Sequence, residues 1–190
     1  MRPLMILAGL LMAGSAVAQD AEALKIDTRK QAMPVVPKVV GMMKETIKAE
    51  GHVGAIPVCK EKAPSLLKAK ATELGWNMRR VSLKSRNPDR ATPDVWEAAQ
   101  LADFNIRAAN GESPASLEVG EVMTRADGKQ VFRYMRALPV ADVCLGCHGG
   151  AGQIEPDLQA QLDKSYPDDR ATGYSVGQIR GALTVIRPLP

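Results

Sequence analysis

The chain has 190 residues, 45% hydrophobic and 24% charged, with a formal net charge of +4, the composition of an ordinary globular protein of one or two domains. Disorder, a collagen-like repeat and a membrane bundle are excluded on that ground. Lys and Arg are scattered and aromatics make up only 4%, so there is neither a phosphate-tracking stripe nor a base-stacking platform, which sets nucleic acid aside.

In chain order, residues 1–18 have the pattern of a secretory signal peptide. Arg2 precedes an apolar run from Pro3 to Ala13, and Ala16-Val17-Ala18 forms an A-x-A cleavage pattern before Gln19. The run falls short of the roughly 20 apolar residues that a membrane span needs. The expectation is a periplasmic protein of one domain, residues 19–190, with no membrane span after cleavage. Val36, Val40, Met43 and Ile47 then recur at helical spacing up to Gly51, with Pro34 and Pro37 near the start, where proline is tolerated. His52 to Ala63 is expected to be non-helical. A second helix from Pro64 carries Leu67, Ala71 and Leu74 on one face and stops at Gly75.

Trp76 to Lys84 suits a strand, bounded by Gly75 and the Arg86-Asn87-Pro88 turn. Thr92 as N-cap and Pro93 at the first helical position predict a third helix to Asn110-Gly111, with Val95, Ala98, Ala99, Ala102 and Ile106 facing inward. Ser116 to Thr124 and Gln130 to Leu138 alternate around Asp127-Gly128, an antiparallel hairpin. Ile179 to Ile186 is the last strand, after a turn-rich segment from Tyr166 to Gly177. The sum is an α+β domain with a small antiparallel sheet flanked by helices.

Cys144-Leu145-Gly146-Cys147-His148 has the C-x-x-C-H form of c-type haem attachment: two thiols for the vinyl groups and an imidazole for the iron. With three Cys and two His in the chain, chance would give this pattern on the order of 0.0003 times. Two other readings compete. A thioredoxin-like dithiol pair normally opens a helix inside a βαβ unit, which this order of elements lacks. A zinc site of Cys59, Cys144, Cys147 and His148 would require adjacent residues, Cys147 and His148, to point at one metal. With His148 on one axial face of the iron, the other could take His52, Cys59 or a methionine. Cys59 is the odd cysteine of an exported chain, and by position alone it is equally a buried small residue, an intermolecular disulfide partner or an axial ligand.

The chain resembles a family of exported c-type haem proteins with a PAS-like sensor domain, long catalogued as a domain of unknown function. The resemblance runs through Ala55-Ile56-Pro57-Val58-Cys59-Lys60, Arg79 to Lys84, Arg86-Asn87-Pro88 and Pro93 to Glu97. It continues through Cys144 to Gly149, Tyr166 to Asp169, Ala171 to Tyr174 and Gly177 to Gly181. It implies a PAS-like antiparallel sheet, one covalent haem c, and iron held by His148 and Cys59. Arg90 stands where the family pattern commonly has Asn. Arg79, Arg80 and Arg86 lie in the shared segments and are candidates for the haem propionates, since guanidinium binds carboxylate bidentately.

The functional expectation is a periplasmic monohaem protein that senses a redox change or a diatomic gas, CO or NO binding in the ferrous state, with its signal passed to a separate protein partner. The alternative is a low-potential electron carrier: thiolate stabilises Fe(III), whereas Met ligation raises the potential. A peroxidase-like enzyme would need an open distal site with acid–base groups, and a filled sixth position argues against one.

Overall fold

The computed structural model describes residues 13–190, with side chains described from residue 20 onward. The expected signal segment therefore lies outside the described residues for its first twelve positions. Its last positions enter α1 (Ala13–Ala32), a helix that the sequence reading did not anticipate beyond the signal.

α2 (Val35–Gly54) begins on Pro34 as expected, but it continues past Gly51 with a kink. Gly51 has φ 71° and ψ −179°, in the positive-φ region that glycine enters without steric cost. The segment from His52 to Ala63 is a correction to the expectation of non-helical chain. Its first turn completes α2, and Val58–Lys62 form a π-helical turn that runs directly into α3 (Ala63–Leu74). α3 buries Ala71 and closes on Gly75 as expected.

β1 is Asn77–Val81, shorter than expected. A four-residue α4 (Pro88–Ala91) follows, and then α5 (Val95–Ala109). The cap of α5 is Asp94, not Thr92: its side chain accepts from the Glu97 amide while Glu97 returns the bond to the Asp94 amide, a reciprocal capping box. The inward face also differs. Val95 is 90% exposed and Ile106 61%, whereas Leu101, Phe104 and Glu97 are buried to within 1%. The helix carries two apolar stripes, and the one with Leu101 and Phe104 removes far more apolar area from water than an alanine stripe can.

β2 (Glu118–Thr124) and β3 (Gln130–Pro139) form the anticipated hairpin. α6 (Asp142–His148) and α7 (Pro156–Ser165) precede β4 (Ile179–Pro188). The four strands are antiparallel throughout, in the order β1-β4-β3-β2. The α+β class with helices flanking an antiparallel sheet is as expected. α5 packs on one face through Val81, Leu101, Phe104, Met135 and Ala182. α1 and α3 cover the other through Ala32, Ala71, Met78, Tyr134 and Leu183. The end of β1, the end of β3 and the start of β4 meet at one end of the sheet, where α6 leaves β3. No helix of the described residues is long and apolar enough to cross a membrane.

Candidate functional site

α6 follows β3 after the short link through Val140, which is buried with Ala171 and Tyr174. At helical spacing, positions 144, 147 and 148 share one side of α6, so both thiols and the imidazole face the same space. All three cysteines are free thiols. Gly146 lies half a turn away on the back of the helix. There it receives His52: a Cβ at Gly146 would clash with His52 Nε2, so glycine is what lets the kinked end of α2 pack there. His52 thus approaches α6 from the side opposite to Cys144, Cys147 and His148.

His148 is held by the segment that follows α7. Its Nδ1 donates to the Ala171 carbonyl at 2.6 Å. A carbonyl can only accept, so the proton is on Nδ1 and the Nε2 lone pair is free, the arrangement seen in metal-ligating histidines. Tyr174 N donates to the His148 carbonyl at 2.9 Å, and the Tyr174 ring meets the imidazole edge-on at 6.4 Å. Burial, with the charges of Arg180, Arg86 and Arg80, holds the imidazole well below its ordinary pKa and hence neutral.

Cys59 arrives from the π-helical turn. It is exposed, and its Sγ lies 3.9 Å from Met43 Sδ. The turn is tied down on both sides. Arg90 donates to the Lys60 carbonyl at 2.9 Å, and Lys60 lies over the Tyr166 ring at 5.5 Å. Arg90 thereby links α4 to the turn bearing Cys59. Cys59 shares an electrostatic neighbourhood with the motif. Burial pushes the Cys147 thiol up, against the pull of Arg86 and with Cys59 adding to the rise. Burial and Cys59 together push Tyr166 up to about 12.

Of the three arginines singled out from sequence, two join this site. Arg86 donates to Asp169 at 2.8 Å and to the Cys147 carbonyl at 2.5 Å. Arg80 lies near Cys59, Tyr174 and Cys144, and burial depresses its pKa most, with Arg86 acting the same way. Arg79 points to the opposite face of the sheet. It pairs with Glu97 and donates to the Thr92 carbonyl at 2.9 Å, as strand alternation requires of the residue before Arg80.

A further arginine escaped the sequence reading. Arg180 is 5% exposed, lies over Tyr174 at 5.3 Å and donates to Ser82 Oγ and the Lys84 carbonyl, both at 3.0 Å. Burial and Arg80 bring its pKa down to about 9. A register shift between Leu138 and Pro139, opposite the start of β4, marks a bulge beside it, the device by which a strand re-aims a side chain. Nothing in the local sequence announces this. No group of three or more His, Cys, Asp or Glu side chains able to hold a metal ion occurs among the described residues, and a zinc site of the kind weighed above would need one.

The fold and site together define a class, an α+β domain with an antiparallel sheet that carries a C-x-x-C-H helix at one end, a histidine set for ligation and a basic surround. The chain belongs to the Tll0287-like family, whose model matches residues 9–188. It is similar to the crystal structure of the cyanobacterial heme-protein Tll0287, with a TM-score of 0.64 and 22% identity over 86% of this chain and 96% of that one. At that identity the likeness is one of fold. No curated protein matches the chain.

Proposed function

We propose that this protein is an exported, periplasmic monohaem c-type protein that binds haem through Cys144 and Cys147 and senses a redox change or a diatomic gas. The observation that carries the reading is the disposition of His148. Its Nδ1 proton is committed to Ala171, its Nε2 is free, and both thiols lie on the same side of a seven-residue helix. A bound haem would supply a one-electron Fe(III)/Fe(II) couple at this position. His148 would hold the iron on one side, with its ring orientation set by Ala171 and Tyr174.

Cys59 is the residue we assign to the other side. His52 packs on the back of α6, and Cys59 is the remaining imidazole or thiol donor. Its placement on a π-helical turn, a feature that recurs at functional sites, supports the assignment. The role is binding rather than catalytic. Electron transfer remains the second reading, favoured by one observation: Cys59 is exposed and Cys144 and Cys147 are only half-buried, so a donor can approach this end of the site.

Acidified organic extraction of the denatured holoprotein tests the attachment. Colour should stay with the chain, and a Cys144→Ala, Cys147→Ala variant should lose the covalent haem mass; colour that leaves the native chain overturns the assignment. Cys59→Ala should change the ferric absorption spectrum and the low-spin EPR g-values. An unchanged ferric spectrum removes Cys59 and brings forward Met43, its sulfur neighbour. CO bound by the ferrous protein favours sensing, whereas a six-coordinate ferrous protein that excludes CO favours electron transfer.

A further inference from the structure

The charges gathered at the α6 end of the sheet, where Arg180 is buried and Arg80 and Arg86 are half-buried, do not balance. Three guanidiniums, Arg80, Arg86 and Arg180, act on one another and on His148, and the carboxylate that meets them is Asp169, paired with Arg86. Arg80 makes no side-chain hydrogen bond or ion pair among the described residues. Arg180, 5% exposed, leaves its Nε buried and without a partner. A desolvated guanidinium without a carboxylate is destabilising. The arrangement persists because the folded protein gains something that needs it. The excess is two positive charges, and a haem carries two carboxylates.

We infer that Arg80 and Arg180, with Arg86 between the site and Asp169, form the cradle for two carboxylates of the bound cofactor, and that Arg79 takes no part. This rests on the haem reading above. The geometry suits it: Arg180 is fixed by Ser82 and Lys84 through Nη1, which leaves Nη2 unbonded and, unlike the buried Nε, open to an acceptor. Arg80 lies within electrostatic reach of both Arg180 and Cys59. Two carboxylates entering here bring the gathered charges to three against three, and guanidinium forks bind such groups through paired, charge-assisted hydrogen bonds. The class of ligand this cradle requires is a dianionic, carboxylate-bearing macrocycle. A neutral or esterified one would leave Arg80 and Arg180 as exposed to cost as before.

The test uses the full-length holoprotein and resonance Raman spectroscopy, because the propionate bending modes report hydrogen bonding to those carboxylates directly. The variants are Arg80→Gln, which removes no bond within the protein, and Arg180→Lys, which keeps the charge and a donor for Ser82 but loses the fork. Arg79→Gln is the control. Haem content is measured in parallel by haemochrome absorbance and intact mass. Arg80→Gln and Arg180→Lys should each keep covalent haem and shift a propionate bending mode to lower wavenumber, while Arg79→Gln leaves both modes in place. Unshifted modes in the two cradle variants at full haem content, or an equal shift in Arg79→Gln, overturn the inference while the haem reading stands. Absence of covalent haem from the native chain defeats the haem reading itself, and the separate haem measurement shows which of the two has failed.

Discussion

On the α5 side of the sheet, Arg79 and Arg133 meet Asp94 and Glu97, two guanidiniums against two carboxylates. Glu97 is 1% exposed and also accepts from Thr184 at 2.9 Å, and Arg133 lies over Trp96 at 4.3 Å. At the α6 end, of Arg80, Arg86 and Arg180 only Arg86 pairs with a carboxylate, that of Asp169. Arg79 and Arg80 are adjacent in sequence and opposite in circumstance. Each side also leaves one arginine Nε buried without a partner, on Arg133 and on Arg180, so an orphaned atom alone does not separate them. The balance of charge does. A balanced buried network locks a helix to a sheet, whereas an unbalanced one marks where something charged is to be bound.

The largest effect expected from breaking this contrast is at Glu97. Glu97→Gln keeps the volume but leaves Arg79 and Arg133 short of a carboxylate, and it should cost about 3 kcal/mol, the scale for removing one partner of a buried ion pair. Urea unfolding of the holoprotein measures it. A cost below ~1 kcal/mol would show that α5 is held by apolar packing and not by the charge network.

A smaller effect sharpens the α6 side. Alanine in a helix interior is better than glycine by about 1 kcal/mol, yet at Gly146 the added Cβ would meet His52 Nε2. Gly146→Ala should therefore give no gain in the native background and stabilise by roughly 0.5–1 kcal/mol once His52→Ala has cleared the space. Equal effects in both backgrounds would place His52 away from α6.

The smallest concerns Asp94, whose side chain is about half-exposed. Burial raises its carboxyl pKa, but the Glu97 amide and Arg133 outweigh that and hold it below the usual range. A folded-state pKa below the unfolded one contributes stability above the unfolded value, near 4, and that contribution disappears as pH falls through the folded value. Asn caps a helix as well as Asp, so Asp94→Asn should cost at most ~1 kcal/mol at pH 7. The difference between variant and native protein should close below about pH 4 in acid-unfolding curves.

The hairpin, the stop of α3 at Gly75 and the C-x-x-C-H motif were legible because each depends on residues close in sequence. The inward face of α5 was not: Val95-to-Ile106 and Leu101-to-Phe104 are both helical stripes, and only the sheet decides between them. The π-helical turn at Cys59 joins two helices across a stretch with Gly54 and Pro57, residues that locally read as loop. Arg180 was invisible because an arginine in a terminal strand looks like solvated edge, and its role depends on the bulge at Leu138/Pro139 and on Arg80, a hundred residues earlier. Arg79 and Arg80 show the limit most simply. Sequence brings both into the family pattern, and only strand pairing says which way each one faces.

β4 is the last strand to be synthesised, yet it lies in the interior of the sheet between β1 and β3. The β2–β3 hairpin can pair alone, but the four-stranded sheet cannot be completed until residues 179–188 have arrived, and long-range pairings of this kind form late and slowly. The segment bearing Cys144 and Cys147 therefore precedes the closing strand in any vectorial emergence of the chain. Cys144 and Cys147 are thus in place before Arg180, at the start of that strand, is fixed against Ser82 and Lys84.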